Sequence, residues 1–343
     1  MIRAPVKARQ AIATLNASRL PRGALVRGRP VPLICRLGKT TDTQGGLLTR
    51  GLPVRNFDYA APTSLAEAAS LLARAPGTAR VLAGGTDLIV QLREHVREAD
   101  LVVDVKRIPE LTELKYSATQ GLELGASTPC YRIYEDATIS AAYPALADAA
   151  RIIGGWQISS RASVGGNLCN SSPAGDSLAP LLALGARCVI VGLDGPREVS
   201  AAEFCTGPGR NVLAKGELLA KLIFPAPAAQ AASAYERFIP RNEMDIAVAG
   251  AASWVQLDAS GKNIVEARVA LSAVAPTVRL AEAANRWLTG QPAVEATFER
   301  AGELARESAS PISDMRGTAE FRRHLVGVLV KRTLAKAVER AKG

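Results

Sequence analysis

The sequence predicts an α+β chain with more than one domain. Three observations lead there. Between Phe57 and Phe224, short apolar strand-like runs alternate with Ala- and Leu-rich helical runs, the pattern of an α/β layer. After Ser233, two long β-rich runs flank a turn and only helices follow. The chain has 343 residues, 48% of them hydrophobic, enough for two or three buried cores. No run approaches the roughly 20 apolar residues of a membrane span.

The elements follow in order. Pro62-Thr-Ser-Leu65 leads into an Ala/Leu-rich helix over residues 66–74, with Ser64 as its N-cap and Gly77 as its stop. Residues 79–83 form a strand and 87–98 a helix. Residues 101–105 read as a buried-type strand, and 122–124 as another. Residues 131–150 have helical character, interrupted near Pro144. Residues 178–184 are helical and 187–191 extended. Residues 199–204 run into a Gly207-Pro-Gly209 turn. Residues 217–224 form a strand that stops at Pro225. The small residues over 226–232 make a linker, which places one domain over 54–228 and a second over 233–343. In the second, residues 246–257 and 264–274 form a hairpin around Asp258-Ala-Ser-Gly261. Helices follow over 279–288 and 294–307, then a long terminal helix over 320–342. In that helix Leu325, Val328 and Leu329 define an apolar face, Arg332 and Lys336 a basic one.

The net charge of +10 is confined to one end. Residues 1–55 hold 11 Lys/Arg and a single acid, Asp42; the rest of the chain carries 31 charges of each sign. The folded body therefore has no basic excess to draw in a nucleic-acid backbone. Residues 1–53 read as a basic extension: a disordered arm, or an over-extended start with Val54 as the first native residue. Their composition is that of a transit peptide, but they have no twin-arginine pair and no apolar core of an export signal. The five cysteines form no C-x-x-C pair, which speaks against a disulfide framework or local zinc site and fits a reducing cytoplasm.

Two segments concentrate chemistry. Val81-Leu-Ala-Gly-Gly-Thr-Asp-Leu88 and Arg161-Ala-Ser-Val-Gly-Gly-Asn167 each carry a glycine pair, and hydroxyls from Thr86 and Ser163 stand beside them. Glycines let a ligand approach the main chain closely, and consecutive N–H groups turned inward make an anion site. Both segments read as loops, and the plainer reading is a pair of ordinary tight turns. Neither matches G-x-G-x-x-G or a P-loop, so a dinucleotide held here is not on a Rossmann sheet. The only histidines, His95 and His324, lie far from both segments in sequence. No acid/base or nucleophilic set is evident, and no metal site is expected.

Residues 81–90 and 162–173, with Ser313-Asp-Met-Arg-Gly317 near the end, resemble the FAD-binding medium subunit of the xanthine dehydrogenase and carbon monoxide dehydrogenase family of molybdenum hydroxylases. The likeness runs from about Phe57 to the C-terminus. It implies a two-lobed, non-Rossmann α/β FAD-binding domain followed by an α+β C-terminal domain. It also implies non-covalent FAD between two walls: Leu82, Ala83, Gly84, Gly85, Thr86, Asp87, Leu88 and Ile89 on one side, and Ser163, Val164, Gly165, Gly166 and Asn167 on the other. Asp176, Ile153, Leu219 and Arg237 match further cofactor contacts. Ile153 stands where some relatives place an aromatic ring over the flavin, and Arg237 where lysine is usual. A capping carboxylate, core packing for Ile153 and Leu219, and a surface arginine are the plainer accounts of these four.

The resemblance further implies an electron-transfer subunit. A large subunit would hold the molybdenum cofactor and a small one the [2Fe–2S] clusters, in a dimer of heterotrimers. Some relatives carry a further cluster on a cysteine-rich insertion in this subunit; the sequence has no such insertion, so no cluster is expected on this chain. A stand-alone flavin oxidoreductase of the same fold, or a flavin-free scaffold subunit, are the alternatives.

Overall fold

The computed structural model describes residues 54–241 and 244–343; the expected basic extension over residues 1–53 lies outside them. Asp58–Ala60, Leu101–Asp104 and Ala79–Leu82 form a parallel three-stranded sheet with Leu101–Asp104 in the middle. Helix Leu65–Arg74 makes the crossover between its two outer strands and buries Ala68, Ala69 and Leu72. Ser64 caps it as expected, accepting from the Glu67 N–H at 3.2 Å, while the Glu67 carboxylate returns to the Thr63 N–H at 3.0 Å.

The helix expected over 87–98 is shorter: Leu88–Arg93. His95 adopts a left-handed φ of 55°. The Val96 N–H then reaches the Gln91 carbonyl at 2.9 Å and the His95 N–H that of Leu92 at 3.4 Å. This is a Schellman closure with histidine where glycine usually stands. Without the glycine, the stop is invisible in the sequence.

The second sheet is antiparallel, ordered Leu114–Ser117, Gly121–Gly125, Leu218–Phe224, Arg187–Gly192, Gly195–Ser200. Its central strand Leu218–Phe224 is almost wholly buried. The helical stretch before the second glycine pair breaks into Tyr131–Glu135, Ala137–Ala142 and Pro144–Ile152. Pro144 occupies the first turn of the last, where a missing N–H costs nothing. Tyr143 packs on Phe224 with ring centroids 5.6 Å apart and donates its hydroxyl to the Pro225 carbonyl at 2.9 Å.

In the last third, Ala231–Phe238, Ala249–Leu257, Ile264–Ser272 and Arg279–Leu280 make an antiparallel sheet, and the expected hairpin is its centre. Asp258 organises the turn by accepting the Lys262 N–H at 3.0 Å and the Ser260 hydroxyl at 2.8 Å. The helix expected over 279–288 is confined to Glu282–Leu288, because Arg279–Leu280 is drawn onto the sheet edge beside Ala270 and Leu271. Helix Glu295–Glu307 and the terminal helix Ala319–Lys342 cross where Gly302 meets Gly327; a Cβ on Gly302 would lie 2.7 Å from the Gly327 carbonyl oxygen. One core fills the first two sheets and takes in Tyr235, Ala252 and Ala270 from the last, and a second core lies under the terminal helix. Among the described residues, no helix is long and apolar enough to cross a membrane.

Candidate functional site

Strand Ala79–Leu82 leaves its sheet directly into the first glycine pair. The Val105 N–H holds the Leu82 carbonyl at 3.1 Å, and the Lys106 ammonium holds that of Ala83 at 3.1 Å. Gly84 then presses on the backbone of Arg161, so closely that any Cβ would overlap the Arg161 carbonyl. Gly85 takes φ +80°, a conformation that β-carbon-bearing residues rarely adopt. None of the N–H groups from Gly84 to Leu88 donates to a described residue.

The second glycine segment is not the loop its composition suggests. Ser163 is extended and caps helix Val164–Asn170, its Oγ accepting from the Gly166 N–H at 3.1 Å. Gly165 and Gly166 are therefore helical, and their value lies in clearance, not in unusual angles. A Cβ on Gly165 would lie 2.5 Å from the Ala126 carbonyl oxygen. The Gly165 N–H, in the first turn, has no partner within the helix, while that of Val164 is turned toward the strand-like Pro129 segment that bridges Ser163. Asn167 is oriented by Ser177, whose hydroxyl reaches its Oδ1 at 2.7 Å.

The two segments meet at Gly84 and Arg161 and enclose a cavity of about 550 Å³. Ligand pockets commonly measure ~300–1,000 Å³. Residues 83–88 line one side, and Ser163, Gly165, Gly166 and Asn167 the other. Ile153 and Leu219 also line it, with Ala126 and Ala162 completing apolar wall. Leu82, Ile89 and Val164 do not. Leu82 packs toward a small separate core, Ile89 is 55% exposed, and Val164 is buried.

Asp176 and Arg237 also lie away from the lining. They pair with each other in the interior, their side chains 10% and 7% exposed. Tyr235 donates its hydroxyl to Asp176 Oδ1 at 2.9 Å, and the second Arg237 nitrogen donates to the Ile152 carbonyl at 3.1 Å. Burial pushes the Asp176 carboxyl up to about 6, against the opposing pull of Arg237 and Tyr235. Neither His95 nor His324 lines the cavity.

Three cations on the wall carry no motif signal and were not singled out by the sequence: Arg80, Arg97 and Lys215. Each is tethered to a carbonyl: Arg80 to Glu98 at 3.2 Å, Arg97 to Gly209 at 3.4 Å, Lys215 to Ala75 at 3.1 Å. None pairs with a carboxylate among the described residues. Burial, and secondarily the neighbouring Arg97, lower the pKa of Arg80. The cavity thus combines unpaired N–H groups, three cations outside any close ion pair and apolar wall; Asp87 also lines it, its carboxyl pKa raised by burial against the lowering pull of Arg97. That donor set fits a ligand with a central diphosphate and flat aromatic ends, and FAD is such a ligand.

Comparison with known proteins agrees. Residues 55–227 match the model of the FAD binding domain in molybdopterin dehydrogenase, and residues 233–337 that of the CO dehydrogenase flavoprotein C-terminal domain. The chain is 34% identical over 291 residues to a putative xanthine dehydrogenase FAD-binding subunit of Escherichia coli strain K12, covering 84% of this chain and 99% of that protein. It is 33% identical to the carbon monoxide dehydrogenase medium chain of Afipia carboxidovorans, covering 84% and 98%. Among solved structures it superposes on reconstituted CO dehydrogenase from Oligotropha carboxidovorans with TM-score 0.80 and 31% identity, covering 84% of this chain and all of that one. Quinoline 2-oxidoreductase from Pseudomonas putida 86 gives TM-score 0.78 at 30% identity, covering 85% and 100%. With two family models matching in tandem and these relatives aligned almost end to end, the chain belongs to the FAD-binding subunits of the molybdopterin dehydrogenases, an oxidoreductase family.

Proposed function

We propose that this chain is the electron-transfer flavoprotein of a multi-subunit molybdenum hydroxylase. In this reading a large partner holds the molybdenum cofactor and a small partner the [2Fe–2S] clusters. The observation that carries it is that the unpaired N–H groups of residues 84–88 and that of Gly165, in the first turn of the second glycine helix, line one cavity. FAD, when bound, supplies the acceptance and release of electrons. The chain supplies position and field. Backbone N–H groups from both segments hold the diphosphate, and Arg80, Arg97 and Lys215 supply counter-charge. Ile153 and Leu219 provide apolar wall and keep water from the ring system. The assembly is read as a dimer of heterotrimers in the cytoplasm, with the domain boundary between residues 228 and 233.

The test uses the complex purified with its partner chains and offered xanthine, an aldehyde or carbon monoxide in turn. Replacing both Gly165 and Gly166 with valine is expected to remove FAD and turnover with the external acceptor. Turnover with an artificial dye that takes electrons ahead of FAD should remain. Unchanged flavin content in the double variant contradicts the placement.

A further inference from the structure

We propose that Lys106 is a positioning residue for the first glycine segment: its ammonium holds the Ala83 carbonyl so that the Gly84 N–H is turned into the cavity as a phosphate donor. The inference rests on the dinucleotide reading of that cavity.

In a trans peptide the carbonyl of one residue and the N–H of the next point in opposite directions. Lys106 Nζ donates to Ala83 O at 3.1 Å, so the Gly84 N–H faces away from Lys106. That N–H donates to no described residue, and both Ala83 and Gly84 line the cavity. Gly84 has no side chain with which to fix the plane, and cannot acquire one, because a Cβ would overlap the Arg161 carbonyl. The restraint must come from outside the segment.

Lys106 is itself held. Its ammonium lies 2.9 Å from the Asp104 carboxylate, which also accepts the Tyr59 hydroxyl at 2.7 Å and the Lys106 main-chain N–H at 3.0 Å. Burial tends to raise the Asp104 pKa, but the Lys106 donors and the Tyr59 hydroxyl outweigh it and hold the carboxyl below its usual value. The carboxylate is thus a fixed anion that anchors the ammonium and leaves it a proton for Ala83. The preceding carbonyl, Leu82, is pinned by the Val105 N–H at 3.1 Å. Residues 104–106 therefore set two successive peptide planes at the mouth of the glycine segment, one through the main chain and one through a cation. A charged donor on the carbonyl also polarises the amide and strengthens its N–H as a donor to an anion.

The test uses full-length protein labelled with ¹⁵N-glycine, as wild type and as Lys106→Met, Lys106→Gln and Lys106→Arg. In flavin-free protein the Gly84 amide signal is expected to move in Lys106→Met, while the Gly165 and Gly166 signals stay in place. Lys106→Arg should restore it, and Lys106→Gln, which donates without charge, should restore it in part. FAD affinity should fall about 10- to 100-fold in Lys106→Met, the range of a lost charge-assisted hydrogen bond. The ³¹P signals of bound FAD should shift as well. An unmoved Gly84 signal and unchanged FAD affinity in folded Lys106→Met and Lys106→Gln overturn the proposal. A Gly84 signal that moves in a protein whose wild type binds no FAD overturns the phosphate role through the dinucleotide reading, while leaving the peptide-plane restraint in place.

Discussion

Arg237 and Asp176 form a buried ion pair that ties the last sheet to the segment beside the cavity wall. Arg237 lies on strand Ala231–Phe238, and Asp176 in the turn leading into helix Leu178–Ala183. The guanidinium also holds the Ile152 carbonyl, one residue before Ile153 of the cavity lining. Removing one partner leaves the other charged in the interior. Arg237→Met or Asp176→Asn should each cost about 3–5 kcal/mol of stability. The double variant should cost clearly less than the sum. Urea unfolding of the four proteins measures this, and additive losses would contradict the coupling.

The same pair gives a pH dependence of definite sign. The folded Asp176 carboxyl titrates near 6, above the ordinary 3.8. As pH rises, the unfolded chain loses this proton first. Between about pH 4 and 6 the folded state binds more protons, so this residue's contribution to stability falls with rising pH and then levels above 6. The stability of wild type minus that of Asp176→Asn should decline across that window and run flat from pH 7 to 8. A flat difference throughout would show that the carboxyl is not raised.

The glycines should respond unequally. Gly84→Ala places a methyl group on the Arg161 carbonyl, so it should abolish FAD retention and lower the melting temperature. Gly166→Ala meets only the Ser163 Oγ at 2.9 Å, with Ala83 Cβ at 4.0 Å, and the Ser163 side chain can give way. It should weaken FAD by no more than about tenfold, a cost of about 1.4 kcal/mol. Flavin content and thermal melts of the two variants decide, and equal effects would contradict the contact at Gly84.

If Arg80 and Arg97 supply counter-charge to the diphosphate, as proposed, FAD affinity is sensitive to salt. Arg97→Gln should weaken FAD about tenfold and flatten the loss of affinity between low and high ionic strength. Isothermal titration at several salt concentrations reads both. An unchanged salt slope would remove Arg97 from the diphosphate's surroundings.

Where periodicity and punctuation agree, the fold was legible. Ser64, Pro144 and the Asp258 turn mark their elements in the sequence and do so in the structure. The glycine pairs also located the cavity. Three things were hidden. His95 ends a helix by adopting an angle that its residue type does not announce. Val164–Asn170 is helical because the capping Ser163 and tertiary packing override the low helix propensity of two glycines. Arg80, Arg97 and Lys215 come together only through folding, from a strand, a helix-ending turn and the loop before Leu218–Phe224. Asp176 and Arg237 carry the right types for a cofactor contact, but residue type cannot say which neighbour claims them, and in the fold they claim each other.

The most direct test of the central claim is flavin and iron analysis, with a visible spectrum, of the full-length chain purified alone and with its partner chains. The account predicts one FAD and no iron on the isolated chain, and one FAD per copy of this chain in the complex. A well-folded chain with no releasable flavin in either preparation would contradict it.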